Sequence, residues 1–178
     1  MDKQFELDKR YLRMARIWSE NSYAIRRQVG CLIVKDRMII SDGYNGTPSS
    51  FENICEYIEE GLMYDVNDSF NGDESKIKYL RECYDGKHGN LHLKTKPYVL
   101  HAEANAISKL ARSSNNSDGA TLYVTDEPCL ECSKMIIQTG IRRVVFWRDY
   151  HDHSGKELLI KANIEVLQIV NIDNNGVF

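Results

Sequence analysis

The chain has 178 residues, of which 42% are hydrophobic and 28% are charged, so its length and composition fit one globular domain better than two domains or a disordered chain. A formal net charge of −3 gives no overall attraction to a nucleic-acid backbone, and it favours a small-molecule substrate. The sequence has no apolar run of membrane-spanning length and no apolar N-terminal core typical of a signal peptide. Its five cysteines do not resemble a disulfide framework. We therefore expect a cytoplasmic protein without a membrane partner.

The N-terminal part predicts a helix followed by a β-hairpin. Apolar residues recur at helical spacing over residues 7–20. Two short apolar runs, at 29–34 and 38–40, are separated by a polar turn and predict the two strands of the hairpin. The segment 43–48 contains two glycines and a proline, and it predicts a shaped loop that displays Asn45.

The segment from about 51 to 97 is the least regular part of the chain. It suggests short helices at 55–63 and 74–83, separated by a polar loop at 65–73. The segment has too few apolar residues to hold a core of its own. We therefore expect residues 1–178 to form a single domain with an insertion at about 51–97.

The remainder of the chain alternates helices and strands. In chain order the predicted elements are a helix at 101–112, a strand at 120–125, a helix at 129–139, a strand at 143–147, a helix at 156–162 and a strand at 164–170. A run of strand, helix, strand, helix and strand implies parallel strands joined by right-handed crossovers. The predicted fold class is α/β, with helices on both faces of a sheet of about five strands.

Two short stretches carry the chemistry. The first is His101-Ala102-Glu103 at the start of a predicted helix, and the second is Pro128-Cys129-Leu130-Glu131-Cys132 at the start of the next one. Cysteines three apart on a helix share a face. Two thiolates and one imidazole are the ligands of a zinc ion that keeps its fourth position for water. We therefore predict His101, Cys129 and Cys132 as ligands of one catalytic Zn²⁺.

Glu103 is the predicted proton carrier of this site. Zinc lowers the pKa of a bound water to about 7, and a nearby carboxylate can take the proton of that water and pass it on. Residues two apart on a helix do not face the same way, so Glu103 reaches the site only if its helix points at the metal end-on. Such a site attacks a ring carbon that bears an amino group, and ammonia leaves.

Simpler interpretations of the same residues exist. A lone Cys-x-x-Cys pair is often a redox or structural pair, and a lone histidine near a helix start is most often a surface residue. A structural zinc would need a second pair of ligands and would leave Glu103 idle. The joint occurrence of His-x-Glu, a strand and Pro-Cys-x-x-Cys is much rarer than either stretch alone, and it favours the catalytic interpretation.

With these motifs the chain resembles the cytidine/deoxycytidylate deaminase superfamily, and among its members the deoxycytidylate (dCMP) deaminases. The similarity extends from about residue 7 to 170, and the loop Gly43-Tyr44-Asn45-Gly46-Thr47-Pro48 before a long insertion is its more specific part. The resemblance implies a three-layer α/β/α fold around a five-stranded mixed sheet. It also implies zinc-dependent conversion of dCMP to dUMP and ammonia, which supplies dUMP for thymidylate synthesis.

The resemblance further implies a substrate side for the site. Asn45 matches a loop asparagine that contacts the nucleotide, Arg26 and Arg27 match the region near the 5′-phosphate, and Tyr150 matches an aromatic residue that lines the pocket. Guanidinium groups suit a phosphate. Members are commonly homo-oligomers, often hexamers, that dCTP activates and dTTP inhibits. The preference among monophosphate, triphosphate and free nucleoside stays open at this point.

The chain departs from its relatives at two places. Ser50 stands where relatives often have glycine, so we expect a different loop backbone there. Some relatives hold a structural zinc in the insertion, and four residues here could supply its ligands: Cys55, Cys83, His88 and His92. Buried cysteines and surface histidines are the interpretation we prefer for these four.

Two other functions compete with dCMP deamination. An adenosine deaminase that acts on a tRNA anticodon loop shares the zinc motif, including Glu127-Pro128-Cys129, but such an enzyme usually has a basic surface. A non-enzymatic zinc module would keep the fold without turnover, and the intact Glu103 disfavours it. We therefore expect no nucleic-acid partner.

Overall fold

The computed structural model describes residues 3–58 and 93–173, and these residues form four helices and seven strands. The helices are α1 (Lys3–Ser19), α2 (Ala102–Leu110), α3 (Leu130–Gln138) and α4 (Ser154–Lys161). The strands are β1 (Gly30–Lys35), β2 (Met38–Tyr44), β3 (Glu56–Ile58), β4 (Leu93–Thr95), β5 (Thr121–Asp126), β6 (Arg143–Arg148) and β7 (Glu165–Gln168). No described helix combines the length and the apolar character that crossing a membrane requires.

Five of the strands form one mixed sheet in the order β2-β1-β5-β6-β7. Strand β1 runs antiparallel to both β2 and β5, whereas β5, β6 and β7 are parallel to one another. The predicted hairpin and the predicted parallel run are both confirmed. In the hairpin turn, Asp36 and Arg37 have φ of 51° and 65°, as the preferred two-residue turn between twisted strands requires.

Helices cover both faces of this sheet. On one face, buried side chains of α2, α3 and α4 pack on alternate residues of the strands, such as Ile33, Leu122 and Val144. On the other face, α1 packs on Leu32 and Tyr123. Alternation of this kind along a strand is what a sheet buried on both faces produces. The predicted α/β/α fold with a five-stranded mixed sheet is therefore confirmed.

Strand β2 is longer than predicted and positions the start of α2. It continues through Gly43 to Tyr44, so the predicted loop at 43–48 begins inside the strand. A Cβ atom on Gly43 would overlap the carbonyl oxygen of Ala102 and would lie 2.6 Å from the backbone nitrogen of Ala106. The glycine thus permits the close packing of β2 against α2, and this packing fixes the helix that follows His101.

The loop after β2 contains Ser50, where the family resemblance leads us to expect glycine. Ser50 has a φ of 76°, in the left-handed region that glycine occupies without a Cβ penalty. Ser50 therefore has a backbone conformation that glycine adopts more readily than serine. Gly46, in the same loop, forms an isolated bridge with Leu100, the residue before His101.

A buried ionic cluster joins α1 to the centre of the sheet. The Asp8 carboxylate is 1% exposed and accepts hydrogen bonds from the Tyr123 hydroxyl at 2.7 Å and from two nitrogens of Arg143 at 2.9 and 2.8 Å. Burial raises the pKa of Asp8, but the hydrogen bonds from Arg143 and Tyr123 outweigh burial and hold the pKa below its usual value.

The base of the insertion is a small second sheet. Strands β3 and β4 are antiparallel, with Glu56 opposite Thr95 and Ile58 opposite Leu93. The prediction of a helix at 55–63 is therefore wrong at Glu56–Ile58, because pairing with a strand distant in sequence overrides the local propensity. The rest of that helix, the loop at 65–73 and the helix at 74–83 lie outside the described residues.

Candidate active site

The three predicted metal ligands lie at the starts of two helices. His101 is the residue that precedes α2, and Cys129 is the residue that precedes α3, each with the extended backbone of a helix N-cap. Cys132 lies one turn later in α3 and is buried. The positive ends of two helix dipoles therefore meet at these ligands, and they favour thiolates and other anions there.

The distances among these ligands fit a tetrahedral zinc ion. The His101 Nδ1 atom lies 3.4 Å from the Sγ atoms of both Cys129 and Cys132. Zinc–nitrogen and zinc–sulfur bonds of normal length at a tetrahedral angle would place these atoms about 3.5 Å apart. Among the described residues, this is the group of three or more potential ligands whose atoms all lie within 4.8 Å of one another. The two Nδ1–Sγ distances therefore match those expected around a tetrahedral zinc ion.

Hydrogen bonds among His101, Cys129 and Cys132 favour the thiolate form of Cys129. The Cys132 thiol donates to Cys129 and, together with His101, lowers the pKa of Cys129 to about 4. The bond to Cys129 raises the pKa of His101 to about 9. Ligation needs both thiolates and a neutral imidazole, so binding of zinc would release the remaining protons.

Glu103 faces the same site from the first turn of α2. Its carboxylate is 4% exposed and lines one cavity together with His101 and Cys129. Burial raises the pKa of Glu103 to about 7, although the neighbouring His101 opposes the rise. His101 and Glu103 are two residues apart at the start of α2, yet both line this cavity, so the N-terminal end of α2 faces it. This is the end-on geometry that the predicted role of Glu103 requires.

The cavity brings seven of the eight predicted site residues together. It has a volume of about 290 Å³. The predicted residues that line it are Arg26, Arg27, Asn45, His101, Glu103, Cys129 and Tyr150. The eighth, Cys132, is buried next to His101. Their roles as catalytic, metal-binding and substrate-binding residues stay predictions.

Asn45 uses both of its side-chain polar atoms to hold the segment that carries Arg27. Its Nδ2 atom donates to the carbonyl oxygen of Arg27 at 2.9 Å, and its Oδ1 atom accepts from the backbone N–H of Val29 at 2.8 Å. A second amide hydrogen and a second oxygen lone pair remain beyond these two bonds. Asn45 therefore shapes the cavity wall as well as lining it.

Asp126 is a residue of the site that sequence reasoning missed. Its buried carboxylate binds Arg27 Nε at 2.6 Å through one oxygen and Arg148 Nε at 2.6 Å through the other. Burial raises the pKa of Asp126, and both arginines oppose that rise. The Arg27 guanidinium also donates to the Asp149 carbonyl oxygen at 3.3 Å. The signal in the sequence was an acidic residue at the end of a buried strand, just before the metal-binding motif.

Helix α4 supports the cysteine loop from behind. The Glu127 carboxylate, which lines the cavity, lies 3.0 Å from His153 Nδ1 at the start of α4. A Cβ atom on Gly155 would overlap the carbonyl oxygen of Pro128 and would lie 2.7 Å from the carbonyl carbon of Cys129. The backbones of α4 and the cysteine loop are therefore in direct contact.

Aromatic rings line another wall of the cavity. The rings of Tyr150 and His151 lie 4.1 Å apart between centroids, at an angle of 45°. Both residues line the cavity, and burial raises the pKa of Tyr150. His151, like Glu56, Thr95, Asp126 and Glu127, was not predicted as a site residue. Whether the insertion holds a second zinc is not tested, because only Cys55 of the four residues considered is described, as a buried free thiol.

Comparison with known proteins agrees with this geometry. Residues 5–148 match the sequence family described as the cytidine and deoxycytidylate deaminase zinc-binding region. The chain is 32% identical to the deoxycytidylate deaminase of Enterobacteria phage T4, over 89% of this chain and 87% of that protein. It is 35% identical to the deoxycytidylate deaminase of Saccharomyces cerevisiae over 90% of this chain, and this match spans only 44% of the yeast protein.

A solved structure is similar over nearly the full length of both chains. It is the crystal structure of dCMP deaminase from the cyanophage S-TIM5 in complex with dCMP and dUMP. The TM-score is 0.70 at 32% sequence identity, and the match covers 95% of this chain and 99% of that chain.

Proposed function

Because the chain belongs to the cytidine and deoxycytidylate deaminase family, we propose that it catalyses the zinc-dependent hydrolytic deamination of dCMP to dUMP and ammonia. The observation that carries this proposal is the convergence of His101, Cys129 and Cys132 beside the buried Glu103, at a cavity that also has two arginines on its wall. The similarity to a dCMP deaminase solved with dCMP and dUMP supports the choice of substrate.

In the proposed reaction, water replaces the amino group at C4 of the cytosine ring, and ammonia leaves. Zinc held by His101, Cys129 and Cys132 would supply a water whose pKa is lowered to about 7. The Glu103 carboxylate accepts the two protons of the attacking water in turn and delivers one to ring nitrogen N3 and the other to the departing amino group, so that C4 becomes a carbonyl carbon and ammonia leaves. Its burial and its raised pKa suit a group that must both take and give a proton near neutral pH.

The substrate side of the proposal rests on Arg26 and Arg27. Both guanidinium groups are at the wall of the cavity, and a guanidinium binds phosphate oxygens through a planar fork of donors. We propose that they bind the 5′-phosphate, that Asn45 contacts the nucleotide, and that Tyr150 lines the base pocket. These roles predict a preference for the monophosphate over the free nucleoside.

The assembly and regulation of the protein belong to the same proposal. We propose a cytoplasmic homo-oligomer, a hexamer, that dCTP activates and dTTP inhibits, as the family resemblance implies. We also propose that residues 1–178 form one deaminase domain with an insertion at about 51–97, a view supported by a family match that runs through the insertion. Production of dUMP for thymidylate synthesis is the metabolic role that this activity would serve.

A substrate panel tests the proposal. The zinc-loaded protein is assayed for ammonia release from dCMP, CMP, dCTP and deoxycytidine, with and without dCTP and dTTP as effectors. The expected result is turnover of dCMP above the other three, with activation by dCTP and inhibition by dTTP. Turnover of a tRNA anticodon adenosine together with inactivity on every cytosine nucleotide would replace the proposal with the tRNA deaminase alternative.

A further inference from the structure

Strands β3 and β4, the small second sheet at the base of the insertion, contribute two side chains to the active-site cavity. Glu56 in β3 and Thr95 in β4 are directly opposite each other in the antiparallel pair. Both residues line the cavity that contains Glu103 and the metal ligands. Residues directly opposite each other in an antiparallel strand pair lie within contact distance, so Glu56 and Thr95 line the same part of the cavity wall.

Glu56 holds the backbone at Arg26. Its carboxylate is 3% exposed, and it accepts hydrogen bonds from the backbone N–H of Ile25 at 3.1 Å and of Arg26 at 3.2 Å. A buried carboxylate is costly unless donors such as these compensate for its lost hydration. Strand β3 therefore fixes the backbone of the segment before β1 at Arg26, which lines the cavity.

Thr95 holds the other end of the same arginine. The Nη1 atom of Arg26 donates to the Thr95 hydroxyl oxygen at 3.2 Å. This bond uses one of the five N–H donors of the guanidinium. One cross-strand pair thus restrains both the backbone and the tip of the Arg26 side chain.

The two cavity arginines are held from different sides. Arg27 is restrained by Asp126 and by the Asp149 carbonyl, which belong to the main sheet and the loop after it. Among the described residues, Arg26 forms its hydrogen bonds with Glu56 in β3 and Thr95 in β4. An arginine that is ordered before the ligand arrives loses less conformational entropy when it binds, and preorganisation of this kind raises affinity.

We propose that Glu56 and Thr95 are positioning residues that hold Arg26 ready for the 5′-phosphate of the nucleotide, so that the insertion sets the preference for a nucleotide over a nucleoside. This inference rests on the proposed function only for the identity of the phosphate-bearing ligand. It gives the β3–β4 pair a role in specificity for the phosphate-bearing ligand that is separate from the zinc chemistry.

The test measures what the phosphate contributes to binding. The zinc-loaded protein is titrated calorimetrically with dUMP and with deoxyuridine, and the ratio of the two dissociation constants is compared among variants. Glu56→Ala lowers the preference for dUMP about tenfold, and Thr95→Val lowers it about threefold, because hydrogen bonds that order a charged donor are lost. Neither change has a further effect when Arg26 is already alanine. With dCMP as substrate, Glu56→Ala raises KM and changes kcat by less than about twofold.

Glu52→Ala is the matched control, since Glu52 is an exposed glutamate that precedes the same strand and is not at the cavity. It should leave the dUMP preference unchanged. Either of two results with folded Glu56→Ala overturns the inference: an unchanged dUMP preference, or a loss of that preference that is equal with and without Arg26. Equal binding of dUMP and deoxyuridine to the unchanged protein also overturns it. If Glu56→Ala does not fold, Thr95→Val decides, because it leaves every contact of the buried carboxylate in place. The proposed function is judged separately, by turnover of dCMP.

Discussion

His101 and Cys129 each precede a helix, and this position determines both the direction and the charge of their side chains. An N-cap residue has an extended backbone, so its side chain lies at the end of the helix instead of along its flank. Two such ends that meet at one point bring the imidazole and the thiolates within bonding range of a single ion. The same end-on geometry gives Glu103 access to the site from the second helical position.

Arg27 should depend on its fork of donors as well as on its charge. Its Nε atom binds Asp126 while an Nη atom binds the Asp149 carbonyl, and a lysine ammonium cannot reproduce this planar fork of donors. Arg27→Lys should raise KM for dCMP about tenfold with little change in kcat, because a disordered ammonium replaces a preset fork. Steady-state kinetics on dCMP measure both constants.

The control for this change is Arg16→Lys, at an arginine that pairs with the exposed Asp173 far from the cavity. It should leave KM for dCMP as it is in the unchanged protein. A KM in Arg27→Lys that stays within about twofold of the unchanged value would show that binding of dCMP does not need the fork of donors at Arg27.

At the scale of elements, the contact between α4 and the cysteine loop should be sensitive to a single methyl group. Gly155→Ala places a Cβ where the backbone of Pro128 and Cys129 already lies, so α4 must move away from the loop. We expect a loss of about 2 kcal/mol in the free energy of unfolding. We also expect about tenfold weaker zinc binding, because the loop that aims the ligands shifts. Denaturant titration and competition with a chelator measure the two quantities.

Gly46→Ala is the matched control, because a Cβ atom there meets no other atom within 4 Å. It should change neither zinc affinity nor stability beyond about 0.5 kcal/mol. Equal effects of the two substitutions would mean that the close packing at Gly155 has no part in supporting the metal ligands.

Elements whose signals are local could be predicted from the sequence. The starts of α2 and α3, the β1–β2 hairpin and the parallel run from β5 to β7 each follow from patterns within a short window. The residues of the candidate zinc site could be proposed because both motifs lie at such local starts. These signals place His101 and Cys129 at helix starts and Cys132 one turn later, and the structure adds that the two helix starts are adjacent.

The contacts that hold the two cavity arginines could not be predicted in this way. Glu56 and Thr95 are distant in sequence, and they become neighbours only when β3 and β4 pair, which local propensity does not favour. The link between Arg27 and Asp126 also joins distant residues, and an arginine before a strand is usually a solvated residue. Each of these contacts forms only when the sheet has assembled.

At the scale of the whole molecule, the buried cluster around Asp8 should make stability depend on pH. The folded pKa of Asp8 is lowered, so the stabilisation from its carboxylate is fully present above the unfolded pKa of about 3.9 and is lost as pH falls through the folded pKa. Asp8→Asn should lower the free energy of unfolding by about 3 kcal/mol at pH 7, because Arg143 and Tyr123 lose a buried anion. Urea titrations at pH 7 and at lower pH measure this difference.

The difference between Asp8→Asn and the unchanged protein should shrink steadily as the pH falls below about 4. Asp173→Asn removes an ion pair that is exposed to solvent, and it should cost less than about 0.5 kcal/mol at any pH. A pH-independent effect of Asp8→Asn would contradict the assignment of Asp8 as an ionised carboxylate in the folded protein.

In the proposed mechanism, zinc ligation and proton transfer belong to different residues of one site, and Glu103→Gln separates the two. Metal content and the rate of dUMP formation from dCMP are measured on the same zinc-loaded samples of the unchanged and substituted protein. We expect one zinc per chain at this site in both, with deamination slowed by at least about 100-fold in Glu103→Gln, because the amide cannot carry the proton. Loss of the zinc together with the activity, or deamination at a rate close to that of the unchanged protein, would overturn this division of roles.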